Sequence, residues 1–238
     1  MKRLIITTGF MAAMATVFML SACGSGGGSK PRADGPFGEF TVLAYEKEAK
    51  IDDIEVKADN SSDLGEMIKL GKDKTKVKEE YNEKMEPLVE QLKGKTVKTE
   101  VGDNLPVKIT KNFTVTGVYP NNNRVTLRAE FEFTKPTPYR KDGAAVQGQN
   151  ITAVAYNTAG EAFDVFGCLS YKDAFKQVYG PGDGVMLDFL ATIRPYTAMN
   201  YGNLAKIVLV DRNKETAVKA KEANTAAMKT YKKDKRNR

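Results

Sequence analysis

Residues Arg124–Thr134 alternate without a break. Val125, Leu127, Ala129, Phe131 and Phe133 fall on one parity, and Thr126, Arg128, Glu130 and Glu132 on the other. Successive side chains of a strand point to opposite faces, so this segment has one apolar and one charged face. That is the pattern of an antiparallel sheet with one side on a core and the other in water. The preceding Tyr119-Pro120-Asn121-Asn122-Asn123 carries the residue types of a hairpin connection.

The same period recurs on both sides of this strand. Val97, Thr99 and Val101 alternate with charged residues, followed by Val107, Ile109, Phe113 and Val115. Further strands are expected at Asn150–Asn157, Glu161–Phe166, Gly184–Arg194 and Leu204–Val210. Thr158-Ala159-Gly160 and Gly180-Pro181-Gly182-Asp183-Gly184 supply the turns, and Ala174, Phe175 and Val178 one short helical turn. About seven to nine short strands with such turns read as mainly β. Over residues 95–210 the pattern resembles the immunoglobulin-like antiparallel β-sandwich domains of bacterial lipoproteins, without a Cys-Trp-Cys core because the chain has no Trp.

Residues 37–94 form an N-terminal strand and helix segment, making the whole α+β. Phe40, Val42 and Ala44 alternate within Phe37–Tyr45, and Ile54, Val56 and Ala58 alternate further on, which predicts two strands. Asn60-Ser61-Ser62-Asp63 then signals a helix start. Val77, Tyr81, Met85, Leu88 and Leu92 draw one apolar stripe over 63–93, a face for docking onto the domain, with Gly94 as the stop. Pro87 inside it predicts a kink or a new start near Glu86.

The N-terminus carries an address. Lys2 and Arg3 precede an apolar run from Leu4 to Leu20, which ends in Leu20-Ser21-Ala22-Cys23. This layout resembles the type II signal peptide and lipobox of bacterial lipoproteins. The resemblance implies removal of residues 1–22, acylation of Cys23 and attachment to a membrane of the cell envelope, the outer one in a two-membrane cell. Two or more acyl chains anchor stably. Residues 24–36, rich in Gly and Ser, read as a flexible tether behind Cys23.

Charge is an end effect. The formal net charge is +7, of which the tail from Asp211 to Arg238 carries +6. Lys229, Lys232, Lys233, Lys235, Arg236 and Arg238 crowd its end and are candidates for contact with an anionic surface; the alternative is a frayed, solubilising terminus. An exported, lipid-anchored protein is not expected to meet nucleic acid.

Candidate chemistry is sparse. The chain has no His, which removes the commonest general base and metal ligand. Cys168 lies in an apolar setting and reads as a small core residue. Glu130 and Glu132 share the charged face beside Arg128, where solvated ion pairs are expected rather than an acid–base pair. Asp164, Asp183 and Asp188 are scattered. Neither Asp52-Asp53 nor the Gly180–Gly184 turn has calcium-loop spacing. No catalytic residue, metal site or cofactor is expected.

Among the aromatics Tyr156, Tyr171, Phe175, Tyr179, Tyr196 and Tyr201, the last two follow Arg194-Pro195 and are the candidates for a ligand groove. The expected function is a non-enzymatic binding or scaffolding module whose partner is an envelope protein or glycan. The alternative is a lipoprotein that captures a glycan or peptide for an uptake system.

Overall fold

The computed structural model describes residues 30–136, 151–169 and 180–237. Among these residues two long helices come first, α1 (Gly38–Asn60) and α2 (Leu64–Leu92). The two strands expected at Phe37–Tyr45 and around Ile54–Ala58 are therefore overturned. Phe40, Ala44, Lys47 and Ile51 are all buried on α1, at spacings of four, three and four. A helix satisfies that spacing over about three turns, whereas period two holds only locally. Asp63 caps α2 as its sequence suggests, accepting hydrogen bonds from the Gly65 and Glu66 N–H groups. The helix runs unbroken through Pro87 to the turn at Gly94 (φ +80). Its stripe docks: Tyr81, Met85 and Leu92 are buried, with Val77 and Leu88 packed beside them.

Among the described residues eight strands follow: β1 (Thr96–Val97), β2 (Thr99–Val101), β3 (Val107–Tyr119), β4 (Arg124–Phe133), β5 (Ile151–Asn157), β6 (Ala162–Cys168), β7 (Gly184–Thr192) and β8 (Leu204–Asp211). Helix α3 (Pro195–Gly202) links β7 to β8, and α4 (Glu215–Arg236) ends the chain. The hairpin expected at Tyr119–Asn123 joins β3 to β4 through a 3-10 turn, Pro120–Asn122, with Asn123 left-handed (φ 53).

The immunoglobulin-like sandwich is overturned. All eight strands belong to one sheet, ordered β1-β3-β4-β7-β6-β5-β8-β2. Thr96 and Val97 pair antiparallel with Thr114 and Phe113 of β3; three residues on, Thr99–Val101 run parallel to Ile207–Leu209 of β8. One short segment thus touches both ends of the sheet and curls it into a nearly closed barrel. Side chains fasten this corner, the Phe113 N–H donating to Thr99 Oγ1 (2.6 Å) and the Thr99 N–H to Asn112 Oδ1 (3.1 Å). Among the described residues β6 and β7 pair at two positions, Gly167↔Leu190 and Cys168↔Phe189, as few as join β1 to β3. Helices hold 46% and strands 32% of the described residues, so the protein is not mainly β.

Two cores follow from this geometry. The inner faces of β3, β4 and β7 put Phe113, Leu127, Phe131 and Phe189 inside the barrel, in one continuous core with Phe37 at the start of α1 and Phe40, Tyr81 and Met85 of the helical hairpin. Outside it, α4 lays Ala217 and Ala220 on Val154, Val208 and Val210. β5 and β8 are therefore covered on both faces, which is why Ile151–Ala155 reads as a continuous buried run.

Candidate functional site

The region expected to be a basic tail is helix α4, and it has two faces. Residues of an α-helix are about 100° apart around its axis. Ala217, Ala220, Asn224, Met228, Tyr231 and Lys235 fall on one side, and Lys229, Lys232, Lys233 and Arg236 on the other. The first set packs inward, with Ala217 and Ala220 buried, and the second set is exposed. A frayed terminus is excluded for residues 215–236, while Arg238 lies outside the described residues.

Lys235 clamps the end of α4 to the hairpin. Its Nζ donates to Asp52 Oδ1 and to Glu55 Oε2, both at 2.5 Å, and Lys74 of α2 also reaches Glu55. Burial would lower the Lys235 pKa, but the bonds and charges of Asp52 and Glu55 outweigh it and raise it. Hydrogen bonds from Lys235 and then Lys74 hold Glu55 below the usual carboxylate range. Lys235 is thus an internal tie, not a surface cation. Tyr196 of α3 leans on the same end of α4, its ring 5.9 Å from that of Tyr231, and its hydroxyl accepts from Arg194.

Tyr201 does not face solvent. It is fully buried, stacked on Phe166 at 6.5 Å and edge-on to Phe163 at 5.0 Å. Its hydroxyl donates to Asp164 Oδ2 at 2.6 Å, and Asn224 of α4 donates to Asp164 Oδ1 at 2.8 Å. Asp164 therefore joins β6, α3 and α4. Burial pushes its pKa up, against the bond from Tyr201. The Tyr201 pKa lies well above 10.0, driven by burial and then by Asp164. A ligand groove built on Tyr201 is not what this arrangement offers.

The chain enters this region from the N-terminal side. Pro31 is buried, and Lys30 pairs with Glu46 of α1 at 2.6 Å. Residues 31–35 cross the end of α3 so closely that a Cβ on Gly35 would lie 2.5 Å from the Gly202 carbonyl oxygen. The described part of the expected tether, residues 30–36, is therefore part of the body. Cys23 lies outside the described residues.

A second polar junction ties the hairpin to the barrel. Lys47 is 1% exposed, and its ammonium donates to the Pro120 carbonyl (2.6 Å) and Asn82 Oδ1 (3.2 Å). Asn82 in turn donates to Asn121, and Asn123 to Glu48. Desolvation brings the Lys47 pKa down from 10.5 to about 8, with Glu48 opposing and Lys78 adding. At the far tip of the hairpin, Asp53, Val56, Lys57, Asn60, Ser61 and Glu66 line an open groove of about 520 Å³. Leu64, Met67 and Ile68 are exposed next to it in sequence, by 71%, 44% and 55%.

The remaining candidates have structural roles. Glu130 and Glu132 lie on the outer barrel face, paired with Lys111 and Lys108. Arg128 meets Asp188 through two hydrogen bonds, at 2.9 and 3.0 Å. Asp183 accepts from the Gly180 N–H in the turn before β7. Cys168 is partly buried against the main core, and Tyr156 lies under the Lys206 ammonium. Tyr171, Phe175 and Tyr179, and the helical turn expected at Ala174–Val178, lie outside the described residues. Among the described residues, no group of three or more Cys, Asp or Glu could hold a metal ion, and no helix is long and apolar enough to cross a membrane.

Sequence reasoning missed Lys47, Asp52, Glu55 and Asn224. The only advance signal was the position of Lys47 within the helical spacing of Phe40, Ala44 and Ile51. No protein-family model, curated protein or solved structure matches the chain.

Proposed function

We propose that the protein is a lipid-anchored component of the cell envelope that acts as a non-enzymatic binding or scaffolding module. The observation that carries the reading is the Leu20-Ser21-Ala22-Cys23 sequence, seven residues ahead of the point where the chain joins the body at Lys30. Residues 23–29 span at most about 25 Å at full extension, so acyl chains on Cys23 would keep the body beside the bilayer. The polar side chains of the interior support the non-enzymatic part. Lys47 holds hairpin to barrel, Asp52 holds α1 to α4, and Asp164 holds α4 to α3 and β6. Each is engaged in keeping elements together.

The experiment is fractionation of the native host expressing the protein or its Cys23→Ala variant. The wild type sediments with membranes and resists extraction by salt and alkali, whereas the variant is no longer processed at residue 22 and is not acylated. Unchanged processing of the variant would refute the anchor. Turnover of glycans, peptides or phosphoesters at ordinary enzyme rates would refute the non-enzymatic reading.

A further inference from the structure

The outward face of α4 ends in four cations with no acidic partner among the described residues: Lys229, Lys232, Lys233 and Arg236. Several surface lysines elsewhere are paired, as with Lys84–Glu80, Lys93–Glu90, Lys108–Glu132, Lys111–Glu130 and Lys219–Glu215; what sets these four apart is their crowding on one helix face. Spacings of three, one and three place the four within an arc of about 100°, along about 10 Å of helix. The packed face of α4 lies opposite. Cations in the last turn also stabilise a helix C-terminus. That accounts for Lys233 and Arg236 but not for Lys229 and Lys232, which lie outside the last turn.

Both described ends of the chain attach to the same helix. Lys30 reaches Glu46 and Lys235 reaches Asp52, six residues or about 9 Å apart along α1. The seven residues from Cys23 to Ser29 span at most about 25 Å, which keeps the body close to the surface that holds the anchor. Surface charge acts only within about a Debye length, close to 10 Å at moderate salt, so a short tether is a condition for the contact.

We infer that the Lys229–Lys232–Lys233–Arg236 stripe rests on the anionic headgroups of the bilayer that holds Cys23, and so fixes how the body faces that membrane. The orienting role rests on the lipoprotein reading; the affinity of the stripe for an anionic bilayer does not. A helix whose inner face is committed to its own domain offers the membrane mainly charge, with Val218 its one exposed large apolar side chain. The contact is therefore reversible, salt-sensitive and blind to headgroup details beyond their negative charge.

The test is sedimentation of the full-length chain carrying Cys23→Ser, which cannot be acylated, with phosphatidylcholine vesicles and with phosphatidylcholine–phosphatidylglycerol vesicles. The readout is the ratio of the two partition coefficients, which cancels any affinity of residues 4–20 common to both. The ratio exceeds ten, falls toward one near 1 M salt, and drops by up to about fivefold for each stripe cation replaced by Gln. A variant of equal charge change elsewhere, Lys84→Gln with Lys93→Gln, Lys108→Gln and Lys111→Gln, keeps most of the ratio. Matching circular dichroism and melting curves show that both variants fold. A ratio near one for the parent chain, an unchanged ratio in K229Q/K232Q/K233Q/R236Q, or an equal fall in the control variant overturns the inference. So does full displacement by inorganic phosphate at constant ionic strength, which would assign the stripe to a soluble anion. Because no acyl chain is present, the stripe and the anchor can fail separately.

Discussion

Replacing Lys47 with Met changes how stability depends on pH, and the size of the change follows from the burial of one ammonium. Lys47 titrates near 8 in the folded protein and near 10.5 when exposed. Between those values the unfolded chain binds the proton that the native protein has released. Stability therefore rises with pH across that window, by about 1.4 kcal/mol per unit. Below pH 8 both states are protonated and the cost of burying the charge is fully present, about 3 kcal/mol. From pH 7 to pH 9.5 the wild type should gain about 2 kcal/mol relative to Lys47→Met, which has no group to titrate there. Tyr201, whose pKa is raised, affects the comparison only above about pH 10 and equally in both proteins. The chain has no Trp, so urea unfolding followed by circular dichroism at a series of pH values is the assay. Parallel profiles for the two proteins would refute a buried, charge-destabilised Lys47, and with it the junction between hairpin and barrel.

Three further perturbations probe the other junctions. Lys235→Ala removes charged hydrogen bonds from Asp52 and Glu55 and should cost about 1.5–3 kcal/mol in urea unfolding. Glu55 is held below its ordinary 4.5, so its contribution is present above that value and lost as pH falls through the folded pKa; the variant flattens this acid limb. Gly35→Ala would place a methyl 2.5 Å from the Gly202 carbonyl, costing about 1–3 kcal/mol and opening Lys30 and Arg32 to trypsin; unchanged melting and cleavage would mean that residues 30–36 are not docked. Tyr201→Phe keeps the ring stack but removes a donor to Asp164, so the Asp164 carboxyl should titrate still higher by NMR, and a downward shift would contradict the bond.

The strands were legible where one face meets water. Arg124–Phe133 and Gly184–Thr192 alternate because their outer sides are solvated, and both strands stand close to their expected bounds. How the strands join was not legible. Closure depends on Thr96–Val101 reaching both β3 and β8, and pairings so distant in sequence leave no local period. The first helix was hidden by its own burial pattern. Lys47, Thr41 and Asp52 occupy the inward face, so polar residues interrupt the stripe that would have marked it, while Phe40, Val42 and Ala44 imitate a strand.

The α4 region shows the same division. Its charge was plain in the sequence, and so was the crowding of Lys229 to Arg236. That Lys235 leaves this group to meet Asp52, 183 residues earlier, required the fold. Deleting residues 211–238 would also uncover Val154, Val208 and Val210, so single substitutions on the outer face are the proper probe of the cations.

The lipid-anchored reading is tested most directly by mass spectrometry of the protein isolated from its own membranes. It predicts an N-terminal residue of Cys23, heavier by a diacylglyceryl group on the sulfur, with residues 1–22 gone. Recovery of peptides from residues 1–22 joined to an unmodified Cys23 would contradict it.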